Sequence, residues 1–413
     1  MSRSLGGISV ALANRNYRLY TYGAIPSLLG TWIQRMAVGW LAWELTQSGS
    51  WLGLVAFADL APTVITAPIA GAFADRVNRL RMVRLIQFLT MLQASALATL
   101  TLSGYMTIET LVFLAFIQGS LQGIHQPFRQ SLVGSMVSKE EITAAIGINS
   151  TIWNTSRLLG PAFSAVIILH FGVGFTFLAN AISYIPMLVT LYMINLDQKL
   201  IEKKSLFHLP AEIREGIRYV TGSHFVTTLM ILLFAFSFFG RATAELLPGL
   251  TGAVFKMSAD GLAILTGAAG LGSLISGIWL SRRGKLRGLS DILIFFVLFI
   301  SLFQLAFIST DKFLLAVIIF CFWGFALNAS GIIAQSLIQA TVPDAIRGRV
   351  VSLYGMLWLG TPAIGAFAMG VAADFMGFRL PIAVGGVIVF LAFIWVLKRR
   401  KSLKQAINTL EKI

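Results

Sequence analysis

The fold of this chain is decided by the stretch Gly71-Ala-Phe-Ala-Asp75-Arg76-Val-Asn-Arg79-Leu-Arg81. A related stretch, Gly277-Ile-Trp-Leu-Ser-Arg282-Arg283-Gly-Lys285-Leu-Arg, follows 206 residues later, and each lies in a short gap between two apolar runs. Both have a glycine, charged residues four or five positions on, and a basic tail. A repeat of about half the chain length indicates two copies of one unit. In a membrane protein this arrangement is typical of a transporter whose site lies between the copies.

The composition is that of a membrane protein, because 57% of the 413 residues are hydrophobic and only 12% are charged. An average soluble domain is about half apolar and a quarter charged. Apolar runs of about 20 residues recur along the chain, and each is long enough to cross a bilayer as a helix. The sequence predicts an all-α membrane protein with twelve transmembrane helices, at 19–44, 51–73, 82–103, 108–128, 143–169, 174–195, 224–247, 259–280, 290–309, 313–336, 348–373 and 380–397.

The repeat extends beyond the opening stretch. Residues 130–137 align with residues 335–342 at an offset of 205, which also pairs Trp153 with Trp358. We therefore predict two parallel six-helix repeats related by an axis along the membrane normal. The predicted domains are an N-terminal bundle, a cytoplasmic linker with an amphipathic helix, a C-terminal bundle and a cytoplasmic tail, at 1–195, 196–223, 224–397 and 398–413.

The net charge of +15 does not indicate a nucleic-acid partner, because its position along the chain has another explanation. If the N-terminus is cytoplasmic, the two tails, the even-numbered loops and the adjoining first three residues of spans three and eleven hold 26 of the 32 Lys and Arg residues, and the outer loops hold three. Positive charge collects on the cytoplasmic side of membrane proteins. We expect a multi-pass protein of the bacterial cytoplasmic (inner) membrane with both termini in the cytoplasm.

These motifs resemble those of the major facilitator superfamily over essentially the whole chain. The family motif G-x-x-x-D-R-x-x-R between spans two and three is met at residues 71–79. The fourth-span motif L-x-x-x-R-x-x-Q-G is met by Leu111, Gln118 and Gly119, but Ala115 replaces its arginine. Span five resembles the family's antiporter motif around Gly160-Pro161, which implies an exporter. The run from Gly30 is similar to the branch that contains the enterobactin exporter and macrolide-efflux-like permeases.

The opening motif predicts an inner gate. A carboxylate at the end of span two can accept hydrogen bonds from the N-terminus of another helix, and the family places span eleven there. The alternative is that these charges only fix topology. The gate and motif residues that we single out are Gly71, Asp75, Arg76, Arg79, Arg81, Arg129, Gly277, Arg282, Arg283 and Lys285.

Charges inside the spans are candidates for function, because each costs several kcal/mol unless it is paired or hydrated. Arg35 and Asp59 lie at similar depth and are expected to pair, either as a structural contact or with Asp59 as the proton carrier. Glu245 is a further coupling candidate, four residues after Arg241.

Polar and aromatic residues on the interior faces of the spans form a predicted substrate cavity. Trp153 and Trp358, beside Arg157, suit an aromatic and anionic substrate; the alternatives are that the tryptophans pack between helices and that Arg157 anchors a bend. The cavity candidates are Gln118, Gln122, Asn149, Trp153, Arg157, Arg241, Asn328, Tyr354 and Trp358.

These observations predict a secondary active transporter rather than an enzyme. The sequence has no metal-ligand spacing and no nucleotide-binding loop, so we expect no cofactor. The leading hypothesis is proton-coupled export of a small organic molecule, such as a siderophore, a drug or a related metabolite, by a monomer. The alternatives are an importer or facilitator of a small solute, and a non-transporting sensor built on a transporter fold.

Overall fold

The computed structural model describes residues 6–73, 77–138, 140–196, 209–283 and 288–400. Within these ranges the chain is helical and contains no β-strand. The helices, in chain order, are α1 Gly6–Ala13, α2 Arg15–Thr46, α3 Gly49–Phe73, α4 Arg79–Leu102, α5 Ile108–Gly134, α6 Ile142–Phe171, α7 Val173–Met193, α8 Leu209–Gly222, α9 His224–Ala235, α10 Ala242–Glu245, α11 Leu247–Gly249, α12 Ala259–Arg283, α13 Leu289–Ser309, α14 Phe313–Thr341, α15 Asp344–Met376 and α16 Arg379–Lys398.

The twelve predicted spans are confirmed as helical segments. Eleven are the single helices α2–α7 and α12–α16. The seventh runs through α9, α10 and α11 and includes two wider π-helical turns, at Phe236–Arg241 and Leu250–Val254. Isolated π turns within helices often occur at functional positions.

Ten of the helical segments in the described chain are long and apolar enough to cross a membrane, whereas α2 and α5 do not meet that combined test. Both carry many polar residues. In α5 these include Gln118, Gln122, His125 and Arg129. These two spans therefore contribute polar side chains to the interior of the protein, where lipid does not reach them.

The backbone repeats with the same offset as the sequence. Gly172 separates α6 from α7 with φ 90° and ψ 164°, and Gly377 separates α15 from α16 with φ 73° and ψ 164°. The two glycines are 205 residues apart, and both adopt a positive φ that only glycine reaches without steric cost. The tight connection between the last two helices is thus the same in the two repeats.

The chain divides into two compact units. The first comprises residues 1–45 and 62–204, and the second comprises 46–61 and 205–413, so the opening part of α3 is grouped with the second unit. The domain boundaries drawn from sequence stay predictions. Helix α8 lies within the predicted linker and packs in the second unit, where Glu215 forms an ion pair of 2.6 Å with Arg349 of α15.

The first unit has a hydrophobic core built from α1–α7. Its largest buried side chains include Tyr17, Tyr20, Phe128 and Met187. Tyr17 also donates a hydrogen bond of 3.0 Å to the carbonyl of Ala145, which ties α2 to the start of α6. This core supports one side of the cavity described next, because Tyr20 and Met187 belong to both.

Candidate functional site

A cavity lined by polar, aromatic and apolar side chains lies inside the first unit. Side chains from α2, α4, α5, α6 and α7 line it. The polar and aromatic lining residues are Tyr20, Ser27, Thr31, Gln87, Thr90, Gln122, His125, Gln126, Arg129, Trp153 and Tyr184. Since small organic ligands bind where an apolar wall carries a few convergent polar groups, this cavity is the candidate site.

Arg129 provides the positive charge of the cavity. Its Nη2 donates a hydrogen bond of 3.2 Å to Gln126 Oε1, its guanidinium lies 5.7 Å from the centre of the Trp153 ring, and it interacts with the Tyr20 hydroxyl. The lining residues of this cavity, all in the described part of the chain, include no carboxylate. The guanidinium is therefore held by neutral groups and can still bind an anion.

Amides, hydroxyls and an imidazole also line the cavity, beside the apolar side chains of Ala24, Leu28 and Met187. Gln87 Nε2 and His125 Nε2 lie 3.5 Å apart, and Thr31 Oγ1 lies 3.2 Å from the Tyr184 hydroxyl. Gln118, one turn before Gln122 on α5, contacts Tyr184, and its Oε1 is buried without a hydrogen-bond partner. These groups can donate or accept hydrogen bonds, so they suit hydroxyl and carbonyl groups of a ligand.

A buried chain of amides lies deeper in the first unit. Asn180 Nδ2 donates to Gln34 Oε1 (2.7 Å), Gln34 Nε2 donates to Gln93 Oε1 (3.2 Å), and Gln93 Nε2 donates to the carbonyl of Leu114 (3.1 Å). All three amide side chains are at most 5% exposed. They connect α2, α4, α5 and α7. The sequence analysis did not identify them, although a glutamine or asparagine within an apolar span was the available signal.

A second aromatic and basic cluster adjoins Trp153. The rings of Trp32 and Trp153 meet edge to face, with centroids 5.6 Å apart, and the Arg35 guanidinium lies 5.9 Å from the Trp32 ring. Arg157, one turn after Trp153, lies within electrostatic range of Arg35. The first unit thus places Trp153 among three arginines. Asn149, also predicted for the cavity, is half-buried one turn before Trp153 on α6.

The corresponding tryptophan of the second unit has different neighbours. Arg241 donates a hydrogen bond to the backbone carbonyl of Trp358, and its guanidinium lies 4.6 Å from the centre of the ring. Tyr354 stacks on Trp358 and donates a hydrogen bond of 2.9 Å to the carbonyl of Gly331. A Cβ at Gly331 would lie only 2.6 Å from the Trp358 ring, so the indole packs directly against α14.

The other predicted polar residues of the second unit also contact neighbouring helices. Asn328 donates to the Ser273 carbonyl (3.0 Å) and to Ser276 Oγ (2.9 Å), which connects α14 to α12. Glu245 is half-buried at the end of α10, and Asp59 is half-buried on α3. The Arg35–Asp59 and Arg241–Glu245 pairs stay predictions.

Comparison with known proteins identifies the family. The model of the family described as "Transmembrane secretion effector" matches residues 9–410. The chain belongs to this major facilitator family. It is a multi-pass secondary transporter of small molecules and not an enzyme.

Individual relatives agree with this assignment. The chain is 26% identical over 370 residues to the Staphyloferrin A transporter of Staphylococcus aureus, covering 87% of this chain and 90% of the relative. It is 24% identical over 397 residues to multidrug efflux pump Tap of Mycolicibacterium fortuitum, covering 90% and 95%. The crystal structure of a point mutant of peptide transporter POT superposes with a TM-score of 0.77 at 13% identity, covering 94% and 95%, which shows the shared fold.

The gate motif of this transporter is only partly described. Asp75, Arg76 and Lys285 lie outside the described residues. Asn78, within the motif, begins α4 as its N-cap by accepting a hydrogen bond of 2.9 Å from the backbone N–H of Arg81. An N-cap of this kind fixes the first residue of a helix, so the motif sets where α4 starts.

The two glycines of the motif and its repeat are not closely packed. Among the described residues, a Cβ at Gly71 would approach only Pro127, at 4.0 Å, and a Cβ at Gly277 would meet no atom within 4 Å. The Arg81 side chain is exposed and Arg79 is half-buried, and Arg282 and Arg283 are exposed on the last turn of α12. Close packing therefore does not explain either glycine in this conformation.

Sequence reasoning missed a carboxylate at the opposite end of α3. Asp374, near the end of α15, accepts hydrogen bonds from Ser48 Oγ (2.7 Å) and from the backbone N–H groups of Gly49 (2.5 Å) and Ser50 (3.0 Å). A carboxylate at a helix N-terminus satisfies free N–H groups and complements the helix dipole. A Cβ added to Gly370 would lie 2.1 Å from the carbonyl oxygen of Gly49, so this close contact requires glycine at position 370.

Proposed function

We propose that this transporter exports a small organic molecule by alternating access in exchange for protons. The observation that carries the proposal is the polar cavity of the first unit, where Arg129 and a set of amides and hydroxyls lie among membrane-spanning helices. Lipid offers no partners to such groups, so they serve a polar solute or water. The family description and the relatives named for efflux and for staphyloferrin A support export of a siderophore, a drug or a related metabolite.

The proposed location is the bacterial cytoplasmic membrane, with both termini in the cytoplasm. The support is the placement of 26 of 32 Lys and Arg residues in the tails, the even-numbered loops and the adjoining starts of spans three and eleven, which is the distribution expected on the cytoplasmic side. The relatives are bacterial proteins. We propose that the transporter acts as a monomer, because each chain holds both repeats of the fold.

Proton coupling is proposed to use a carboxylate within the spans. Asp59 on α3 is the first candidate and Glu245 on α10 is the second, and both are half-buried. A carboxylate that binds a proton in one conformation and releases it in the other couples the two movements. The fourth-span motif has Ala115 in place of arginine, so this transporter relies on other charged residues for coupling.

The test is solute-dependent proton movement in proteoliposomes that contain a trapped pH dye. Staphyloferrin A, ethidium and salicylate are offered separately, and solute uptake is measured in parallel. We expect at least one solute to cross the membrane in one direction while protons cross in the other. Asp59→Asn should abolish the proton movement, whereas Glu109→Gln, at an exposed carboxylate on the first turn of α5, should retain it.

Two outcomes contradict the proposal. Verified solute transport without any pH change would eliminate proton exchange, and solute movement in the same direction as the protons would indicate an importer. A protein that moves none of these solutes, and binds none of them, would support the non-transporting alternative.

A further inference from the structure

We propose that the cavity of the first unit selects a hydroxylated aromatic carboxylate, with the carboxylate held by Arg129 and the ring placed against Trp153. This inference rests on the proposed function, since it names the chemical class of the transported molecule. It also reassigns Arg129, which the sequence places near the end of the fourth span among the gate residues, to substrate recognition.

Arg129 supplies the positive charge that would bind the carboxylate of the ligand. Its polar contacts are the Gln126 amide oxygen and the Tyr20 hydroxyl, both neutral. A guanidinium binds a carboxylate through two parallel N–H donors, a geometry that a lysine ammonium does not provide. A ligand carboxylate would therefore supply the negative charge that the lining of this cavity lacks.

Trp153 and Trp32 form an aromatic wall beside Arg129. The guanidinium of Arg129 lies 5.7 Å from the centre of the Trp153 ring, so a group bound to Arg129 lies beside the indole. Trp32 supports Trp153 edge to face at 5.6 Å and fixes its orientation. A planar aromatic acid can use both contacts together, whereas an aliphatic acid can use only the first.

Neutral polar side chains of the same cavity suit a hydroxyl group on the ligand. Gln87 and His125, 3.5 Å apart, and the Thr31–Tyr184 pair, 3.2 Å apart, offer both donors and acceptors at the lining of the same cavity. A hydroxyl group on the ligand donates and accepts in the same way, so it can enter these pairs. A site built to hydrogen-bond a hydroxyl discriminates strongly against the analogue that lacks it.

Electrostatics excludes the opposite class of ligand. Arg129 places a positive charge at the lining of the cavity. A cationic dye would meet repulsion and would find no carboxylate among the lining residues. Selection for an acid is therefore expected to include rejection of cations.

The experiment measures binding to purified, full-length transporter in nanodiscs by isothermal titration calorimetry. Salicylate is the probe, and benzoate, salicylamide, citrate and ethidium are the comparison compounds. Salicylate should bind most tightly. Salicylamide, which lacks the negative charge, should bind about 10- to 100-fold more weakly, as expected for the loss of a charged hydrogen bond.

Variants assign the contact to Arg129. Arg129→Gln should weaken salicylate binding about 10- to 100-fold, and Arg129→Lys should cause an intermediate loss. The control is Arg379→Gln, which removes the same charge from a surface pair with Asp311 and should leave affinity unchanged. Size-exclusion profiles establish that each variant is folded, and the Arg129→Lys result stands if Arg129→Gln fails to fold.

The outcomes separate this inference from the proposed function. The inference would be overturned if Arg129→Lys or Arg129→Gln bound salicylate with the same affinity as the wild type. It would also be overturned if citrate or ethidium bound more tightly than salicylate. Proton exchange with those other solutes would leave the proposed function standing. Salicylate binding that depends on Arg129, with no transport of any solute, would keep the site and overturn export.

Discussion

Trp153 and Trp358 occupy equivalent positions of the two repeats, 205 residues apart, but their surroundings differ. Trp153 lines a cavity, and Arg129 beside it has only neutral partners among the described residues. Trp358 packs on Gly331, and Arg241 donates to its backbone carbonyl. The repeat therefore preserves the arrangement of helices, and we infer that the residues around Trp153 serve recognition whereas those around Trp358 serve packing.

Charged residues of the second unit repeatedly have partners within that unit. Asp374 accepts three hydrogen bonds at the start of α3, and Glu215 pairs with Arg349. Arg400 donates to Asp291 over 2.7 Å, and this hydrogen bond raises the pKa of the Arg400 guanidinium. The second unit thus has the character of a scaffold, and the predictions below test that difference.

The largest expected effect is on the packing between α12 and α14. A Cβ added by Gly272→Ala would lie 1.9 Å from the Cys321 carbonyl and 2.8 Å from the backbone nitrogen of Phe325. The helices must separate to accommodate it, at a cost of about 1–3 kcal/mol or more. We expect a lower melting midpoint and less folded protein, measured by size-exclusion chromatography after heating.

Gly277→Ala is the matched control on the same helix, because no atom lies within 4 Å of its added Cβ. Its midpoint should equal that of the wild type. If the two alanine variants melted together, the second unit would not be the tightly packed scaffold described here.

A smaller effect is expected at Asp374. Asp374→Ala leaves the Ser48 hydroxyl and two N–H groups at the start of α3 without their acceptor. Loss of a helix cap costs about 1 kcal/mol, which corresponds to a decrease of roughly 2–4 °C in melting midpoint. Differential scanning fluorimetry measures it, with Asp311→Ala as the control.

Asp311 forms an exposed ion pair with Arg379, and pairs of this kind contribute about 0–1 kcal/mol. A larger loss at Asp311 than at Asp374 would show that the cap on α3 is not a stabilising contact. It would also remove one reason for concluding that charged groups of the second unit are stabilised by partners within that unit.

Sequence predicted the architecture well because the signal is periodic and long. The twelve apolar runs end within a few residues of the helix ends, apart from the C-terminal extension of α5 to Gly134, of the seventh span to Val254 and of α14 to Thr341. Gly172 and Gly377 are also 205 residues apart, and this pair would have strengthened the prediction of a repeat. The helix ends and the two glycine turns follow from local sequence and need no tertiary contacts.

The site was harder to predict because its contacts are distant in sequence. Gln34 and Asn180 are 146 residues apart, and Asp374 reaches a helix start more than 320 residues away. Arg129 was assigned to the gate from its position near the end of a span. Only the packing of α5 against α6 places its guanidinium beside Trp153.

The central claim is that Trp153 of the first unit contacts the substrate, whereas Trp358 of the second unit serves packing. The most direct measurement is the melting midpoint of wild type, Trp153→Leu and Trp358→Leu, each with and without saturating salicylate. A ligand that binds the folded state raises the midpoint. Trp153→Leu should lose most of this salicylate-dependent rise. Trp358→Leu should keep the rise but melt at a lower temperature without ligand, because its ring packs on Gly331 and Tyr354. The reverse pattern, with the salicylate response lost in Trp358→Leu and kept in Trp153→Leu, would contradict the account.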